Sequence, residues 1–154
     1  MDPRHEVALD QVLELTVLLA EDMAGSLGRD GLTPARAHLL WVLRERGPST
    51  QVVLADALRV SARNVTGLVD ALEAADLVAR RPHPTDRRAT LVGLTEQGGT
   101  ITARMAHDKA LLAAGLFGGL GTEQVQTFSD TLAGVLDRLK VMVADAADTS
   151  REPT

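Results

Sequence analysis

The chain has 154 residues and no cysteine, which excludes disulfides, thiol nucleophiles, cysteine-ligated zinc and sensing by cysteine oxidation. At 45% hydrophobic and 24% charged it has a globular composition that can bury a sizeable core, in one domain or a domain with a helical extension. Its net charge of −5 argues at first against a nucleic-acid partner.

In chain order, residues 5–27 read as a helix. Leu9, Leu13, Leu19, Met23 and Leu27 recur at roughly helical spacing, with Asp10, Glu14 and Glu21 between them. The same acids break the first apolar stretch, so it is neither a signal peptide nor a membrane span, and a cytoplasmic protein is expected. Gly28 to Gly31 end this helix. Thr33-Pro34 marks the next start, with Thr as N-cap and Pro at the first helical position. The helix to about Glu45 is apolar almost all round (Ala37, Leu39, Leu40, Trp41, Val42, Leu43), as expected of a helix buried at the centre of a fold.

After Gly47-Pro48, Ser49 or Thr50 caps a short helix through Leu58. Arg59-Val60 form a turn, and Ser61 caps a further helix to about Ala75. Val78–Pro82 and Thr90–Leu94 are short β-type runs joined by a basic, Pro-containing loop, His83 to Ala89, and so read as a hairpin. Thr95 caps a fifth helix to about Leu116, Gly118, Gly119 and Gly121 break it, and Thr122 caps a last helix to about Ala147. The tail Asp148–Thr154 is expected to be disordered. The order helix, helix, helix-turn-helix, hairpin, helix, helix predicts a mainly α fold with a small β-hairpin wing, an α+β winged helix centred on residues 49–94.

The charge is unevenly spread. Residues 1–48 hold five Lys/Arg and eight Asp/Glu, and residues 99–154 five and seven, whereas residues 59–94 hold six arginines and four acids. This central surplus of two can neutralise phosphates while the acidic flanks point away. Trp41, Phe117 and Phe128 are the only aromatic residues, too few for the stacking platforms of single-strand and RNA binders. Duplex DNA is therefore the expected nucleic-acid partner.

At 100° per residue, Val65, Leu68, Val69 and Leu72 share one face of the 61–75 helix. Arg63, Thr66, Gly67 and Asp70 share the opposite face, with Asn64 to one side. Hydrogen-bonding side chains in the first two turns, beside a small residue, suit a helix that enters the major groove. Arg63 can bond guanine O6 and N7, Asn64 adenine, and Thr66 a phosphate or a thymine methyl. Asp70, on the same face, speaks against a phosphate contact at that turn. Arg59 stands where helix-turn-helix motifs often carry glycine. At the hairpin tip, Arg87 and Arg88 suit the negative potential of the minor groove, and Asp86 is expected to orient a neighbouring arginine. Thr50 and Ser61, at the starts of the two helices, complete the expected DNA-binding set.

Together Leu54-Ala55, Val60-Ser61, Arg63-Asn64-Val65-Thr66, Leu68-Val69, Leu72, Leu77-Val78, Asp86-Arg87-Arg88 and Leu94-Thr95-Glu96-Gln97-Gly98 resemble the MarR (multiple antibiotic resistance regulator) family, over about residues 5–145. The family's Asp-any-Arg wing pattern is matched by Asp86 and Arg88. The resemblance implies Arg88 as the minor-groove residue and Arg87 as a phosphate or groove-edge contact. It also implies a homodimer interlocked through the first and last two helices, whose apolar faces a small winged core would not cover. Residues 1–31 and 95–147 would then form the dimerisation region and residues 32–94 the DNA-binding domain. Two recognition helices related by a two-fold axis call for a palindromic operator. Members usually repress neighbouring genes and release DNA when a small molecule binds between the dimer helices and the winged core; here His38 and Trp41 are the candidate pocket wall.

Other readings fit less well. A metal sensor needs clustered ligands, but His5, His38, His83 and His107 are scattered, and no cofactor is expected. An enzyme lacks support: there is no Gly-rich phosphate loop, no supported Ser/His/Asp set and no carboxylate pair in a cleft-forming motif. A winged-helix module that binds protein in place of DNA would more often show aromatic anchors than Arg63, Asn64, Arg87 and Arg88.

Overall fold

The computed structural model describes residues 2–149. It contains six helices and three short strands: α1 (Pro3–Gly28), α2 (Pro34–Arg46), β1 (Ser49–Thr50), α3 (Gln51–Leu58), α4 (Ala62–Ala74), β2 (Val78–Pro82), β3 (Thr90–Leu94), α5 (Glu96–Phe117) and α6 (Thr122–Thr149). The mainly helical winged-helix class expected from the sequence is the one observed. Among the described residues, no helix is long and apolar enough to cross a membrane.

Local chemistry explains most boundaries. Asp2 caps α1, its Oδ1 accepting the Arg4 N–H at 3.0 Å, and Thr33 caps α2 by accepting the Arg36 N–H at 3.3 Å. Three helix ends share one closure. A left-handed residue stands at the cap or within two residues past it, and the N–H that follows it reaches back to the last turn. In this way Leu32 bonds Leu27 O (3.1 Å), Val60 bonds Ala55 O (3.1 Å) and Leu77 bonds Leu72 O (2.9 Å). The left-handed residues are Gly31, Arg59 and Asp76, at φ 63°, 54° and 57°.

Three expectations need correction. Ser49 is not a cap: Thr50 caps α3, while Ser49 lies in β1 and pairs with Val92. The hairpin is therefore part of a three-stranded antiparallel sheet, in the order β1-β3-β2. Thr122 is the first residue of α6 and not its cap. Gly121 holds that place, its carbonyl accepting the Val125 N–H at 3.1 Å and its N–H donating to Gln124 Oε1 at 2.9 Å. The tail does not begin at Asp148, because α6 continues to Thr149; residues 150–154 lie outside the described residues.

The chain divides into two compact units, residues 1–106 and 107–154, with the boundary inside α5. In the first unit α2 is central. Its Leu39, Leu40 and Leu43 pack with Leu54 of α3, Val65, Val69 and Leu72 of α4, and Leu77, Val78 and Val92 of the sheet region. Burying each such side chain is worth about 1.5–3 kcal/mol. The start of α5 is locked to this core. Thr95 Oγ1 donates to Asp76 O (2.6 Å) and accepts the Gly98 N–H (3.0 Å), and the Thr95 N–H donates to Leu77 O (3.1 Å). Gly98 lies so close that a Cβ there would sit 2.0 Å from Leu77 O. In contrast, α1 exposes Val7, Leu9, Leu13, Val17 and Leu18, and only its Leu27 is buried. In the second unit, Phe117 and Phe128 stack at a tilt with ring centres 5.7 Å apart, while Leu139, Val141, Met142 and Val143 of α6 are exposed.

Candidate nucleic-acid interface

The α3–turn–α4 unit is built by its caps and its turn. Thr50 Oγ1 accepts the Val53 N–H at 3.4 Å, and Ser61 Oγ accepts the Asn64 N–H at 3.2 Å, so both hydroxyls fix the starts of their helices. Between them, Arg59 takes the left-handed conformation that the sequence pattern assigns to glycine. On α4, Val65 and Val69 are fully buried and Leu72 nearly so, while Arg63, Asn64, Thr66, Gly67 and Asp70 are exposed. Gly67 has open space where a Cβ would stand, which leaves a flat step in the middle of the exposed face.

Sequence reasoning missed Gln51. Its Oε1 lies 3.0 Å from Thr66 Oγ1, which also bonds Ala62 O at 3.0 Å, so the first turn of α3 joins the exposed face of α4. The two residues are fifteen apart, and no local pattern links them. Also missed was the partner of Asp70. Arg80, in β2, donates to Asp70 Oδ1 at 2.5 Å and forms an ion pair with Glu73, whose Oε1 also accepts the Arg80 backbone N–H at 3.1 Å. These carboxylates, the Asp70 hydrogen bond foremost, hold the Arg80 guanidinium further above its ordinary pKa.

The wing loop is a chain of short-range bonds. His83 Nδ1 accepts the backbone N–H groups of Thr85 (3.3 Å) and Asp86 (3.1 Å), and the His83 N–H donates to Ala89 O (3.0 Å). Asp86 Oδ1 accepts the backbone N–H of Arg88 at 2.9 Å, so its carboxylate shapes the turn that carries the two arginines. Arg87 and Arg88 are both exposed. His38 and Trp41 sit on α2, the first exposed and the second half-buried, on an element separate from α4 and the wing. A shallow depression on α6 is lined by Glu123, Gln124, Thr127, Phe128 and Thr131, none of them from α2. Among the described residues, no three His, Asp or Glu side chains are grouped to hold a metal ion.

A capped helix pair, a polar-faced second helix and a hairpin tipped with arginine define a winged helix-turn-helix of the DNA-binding class. Comparison with known proteins agrees. Residues 32–90 match the MarR family. The chain is 33% identical over 108 residues to the HTH-type transcriptional regulator YhbI of Bacillus subtilis, covering 70% of each protein. It is 39% identical over 74 residues to the transcriptional repressor NicR of Pseudomonas putida, covering 48% of this chain and 47% of NicR, so that match spans about half of the relative's length. Its fold matches that of FabT from Streptococcus pneumoniae, solved in complex with DNA, with a TM-score of 0.75, 19% identity, and coverage of 90% of this chain and 97% of FabT. The chain belongs to the MarR family of transcriptional regulators.

Proposed function

We propose that the protein is a homodimeric repressor that binds a palindromic operator in duplex DNA and leaves it when a small organic effector binds. The observation that carries this reading is the α4 face formed by Arg63, Asn64, Thr66 and Gly67, exposed opposite the fully buried Val65 and Val69. Side chains so placed have rigid support behind them and hydrogen-bonding groups in front, as base readout requires. Arg87 and Arg88 add a second contact from the wing. NicR is named a repressor, and FabT has been seen on DNA. A homodimer is supported by the apolar faces that α1 and α6 leave exposed. Residues 1–31 and 95–147 are its dimerisation region, and residues 32–94 its DNA-binding domain.

The test is a fluorescence-anisotropy titration against duplex DNA from the protein's own upstream region, at two salt concentrations. One dimer should bind one palindromic segment, more weakly at the higher salt. No binding at low salt sinks the reading. Replacing Arg63 with Ala should cost about 1–3 kcal/mol and relax preference at one base pair per half-site. A uniform loss across sequences would reassign Arg63 to phosphate. Trp41 is the single tryptophan, so its fluorescence reports on the α2 wall directly. An effector should change that emission at the concentration that releases DNA, and release without such a change would place the ligand elsewhere.

A further inference from the structure

The outer wing has little to hold it. From Arg81 to Thr90 no residue is buried, so the loop and the strand ends that flank it are held by the β2–β3 ladder and the turn bonds. Among the described residues, Arg80 is the last position along β2 with a hydrogen bond or ion pair to the recognition helix, and that link is threefold. Its guanidinium spans Asp70 and Glu73, one turn apart on α4, and its backbone N–H donates to Glu73. Arg80 pairs with Val92 across the ladder, and Val92 is fully buried, so the tie fastens the helix to the strand pair at the edge of the core. Charge-assisted bonds from a planar fork constrain angle as well as distance.

We propose that Arg80 is a positioning residue for DNA binding: tied to Asp70 and Glu73, it fixes the angle between the wing and the recognition helix and so aims Arg88. This rests on the DNA-binding reading above. It also gives Asp70, an acid on the face turned towards DNA, a role other than repulsion.

Charge and aim can be separated because they predict opposite signs. The double variant Asp70→Ala with Glu73→Ala removes two negative charges from α4 and leaves Arg80 unpaired by them. Alanine keeps the exposed helix positions favourable, so the fold is retained. By charge alone, the variant should bind DNA more tightly. If the tie aims the wing, affinity should fall by about fivefold, and in an Arg88→Ala background the same pair of changes should no longer weaken binding. Amide hydrogen exchange, read by mass spectrometry without DNA, should quicken at least about tenfold in residues 83–89 while the remainder of the first unit is unchanged. Affinity that rises or stays level, or an equal loss with and without Arg88, overturns the aiming role. Unchanged wing exchange overturns the tie itself. If the unaltered protein binds no duplex, the DNA reading fails on that titration alone, and the exchange result still decides whether Arg80 holds the wing.

Discussion

Arg59 holds φ 54° and ψ 44° at the turn between the two helices of the motif, a conformation that costs a residue with a Cβ about 1–2 kcal/mol. It persists because the closure around it is complete, with the Val60 and Arg59 N–H groups both returning to the last turn of α3. Replacing Arg59 with Gly should therefore raise stability by up to about 1 kcal/mol in thermal unfolding, the gain in strain being partly offset by glycine's greater freedom in the unfolded chain. A loss of stability would mean that the Arg59 side chain makes a contact worth more than the strain. The same change at Asp76 should gain less, since short polar residues enter this region more readily. The position of the turn was legible in the sequence, from the cap at Ser61 and the apolar register on either side. Its handedness was signalled only by the motif position, which often carries glycine, because a left-handed arginine leaves no mark of its own in composition. Asp70 was legible as an acid on the wrong face for phosphate, and its partner was not, because Arg80 reaches it only once β2 has turned back beside α4.

Among the elements, the hairpin and the long helices were readable because their residues carry a period of two or of about 3.6. The two residues of β1 carry no period at all. They form a strand only by pairing with Leu91 and Val92, some forty residues away, and so the sequence showed the cap at Thr50 but not the third strand that shares this residue. The α5 start was readable as Leu94-Thr95-Glu96-Gln97-Gly98, but the need for glycine at its end becomes plain only where the helix meets the Leu77 carbonyl. Replacing Gly98 with Ala forces backbone apart at that point and should cost about 1–3 kcal/mol or more, measured as a lower midpoint in denaturant. An unshifted midpoint would show that α5 can slide from the core without loss. At the wing, replacing Arg88 with Ala should weaken operator binding while leaving sedimentation and helical content unchanged, and unaltered affinity would remove the wing from the mechanism.

At the scale of the molecule, the long terminal helices present more apolar surface than a soluble single chain usually tolerates. Leu136, Leu139 and Val143 recur along α6 at helical spacing, each more than two-fifths exposed. Replacing Leu139 with Arg should drive the protein to monomers in sedimentation velocity and abolish tight operator binding, because one half-site alone gives far weaker affinity than two linked ones. A variant that remains dimeric would place the interface elsewhere. The net charge of −5 fits a DNA binder once its distribution is considered, and the structure refines that further: Arg80 counts towards the basic surplus but is engaged by two acids, whereas Arg59, Arg63, Arg81, Arg87 and Arg88 are exposed.

The wing tip also makes the protein its own reporter of occupancy. Arg87 and Arg88 lie exposed on a loop with no buried side chain, whereas Arg81 is followed by Pro82, a bond that trypsin spares. Brief trypsin treatment should therefore nick the chain first after Arg87 or Arg88, and operator DNA lying over the loop should slow that nick. The ratio of cut to uncut chain on a gel would then count occupied sites in a crude extract, with no label and no purified partner.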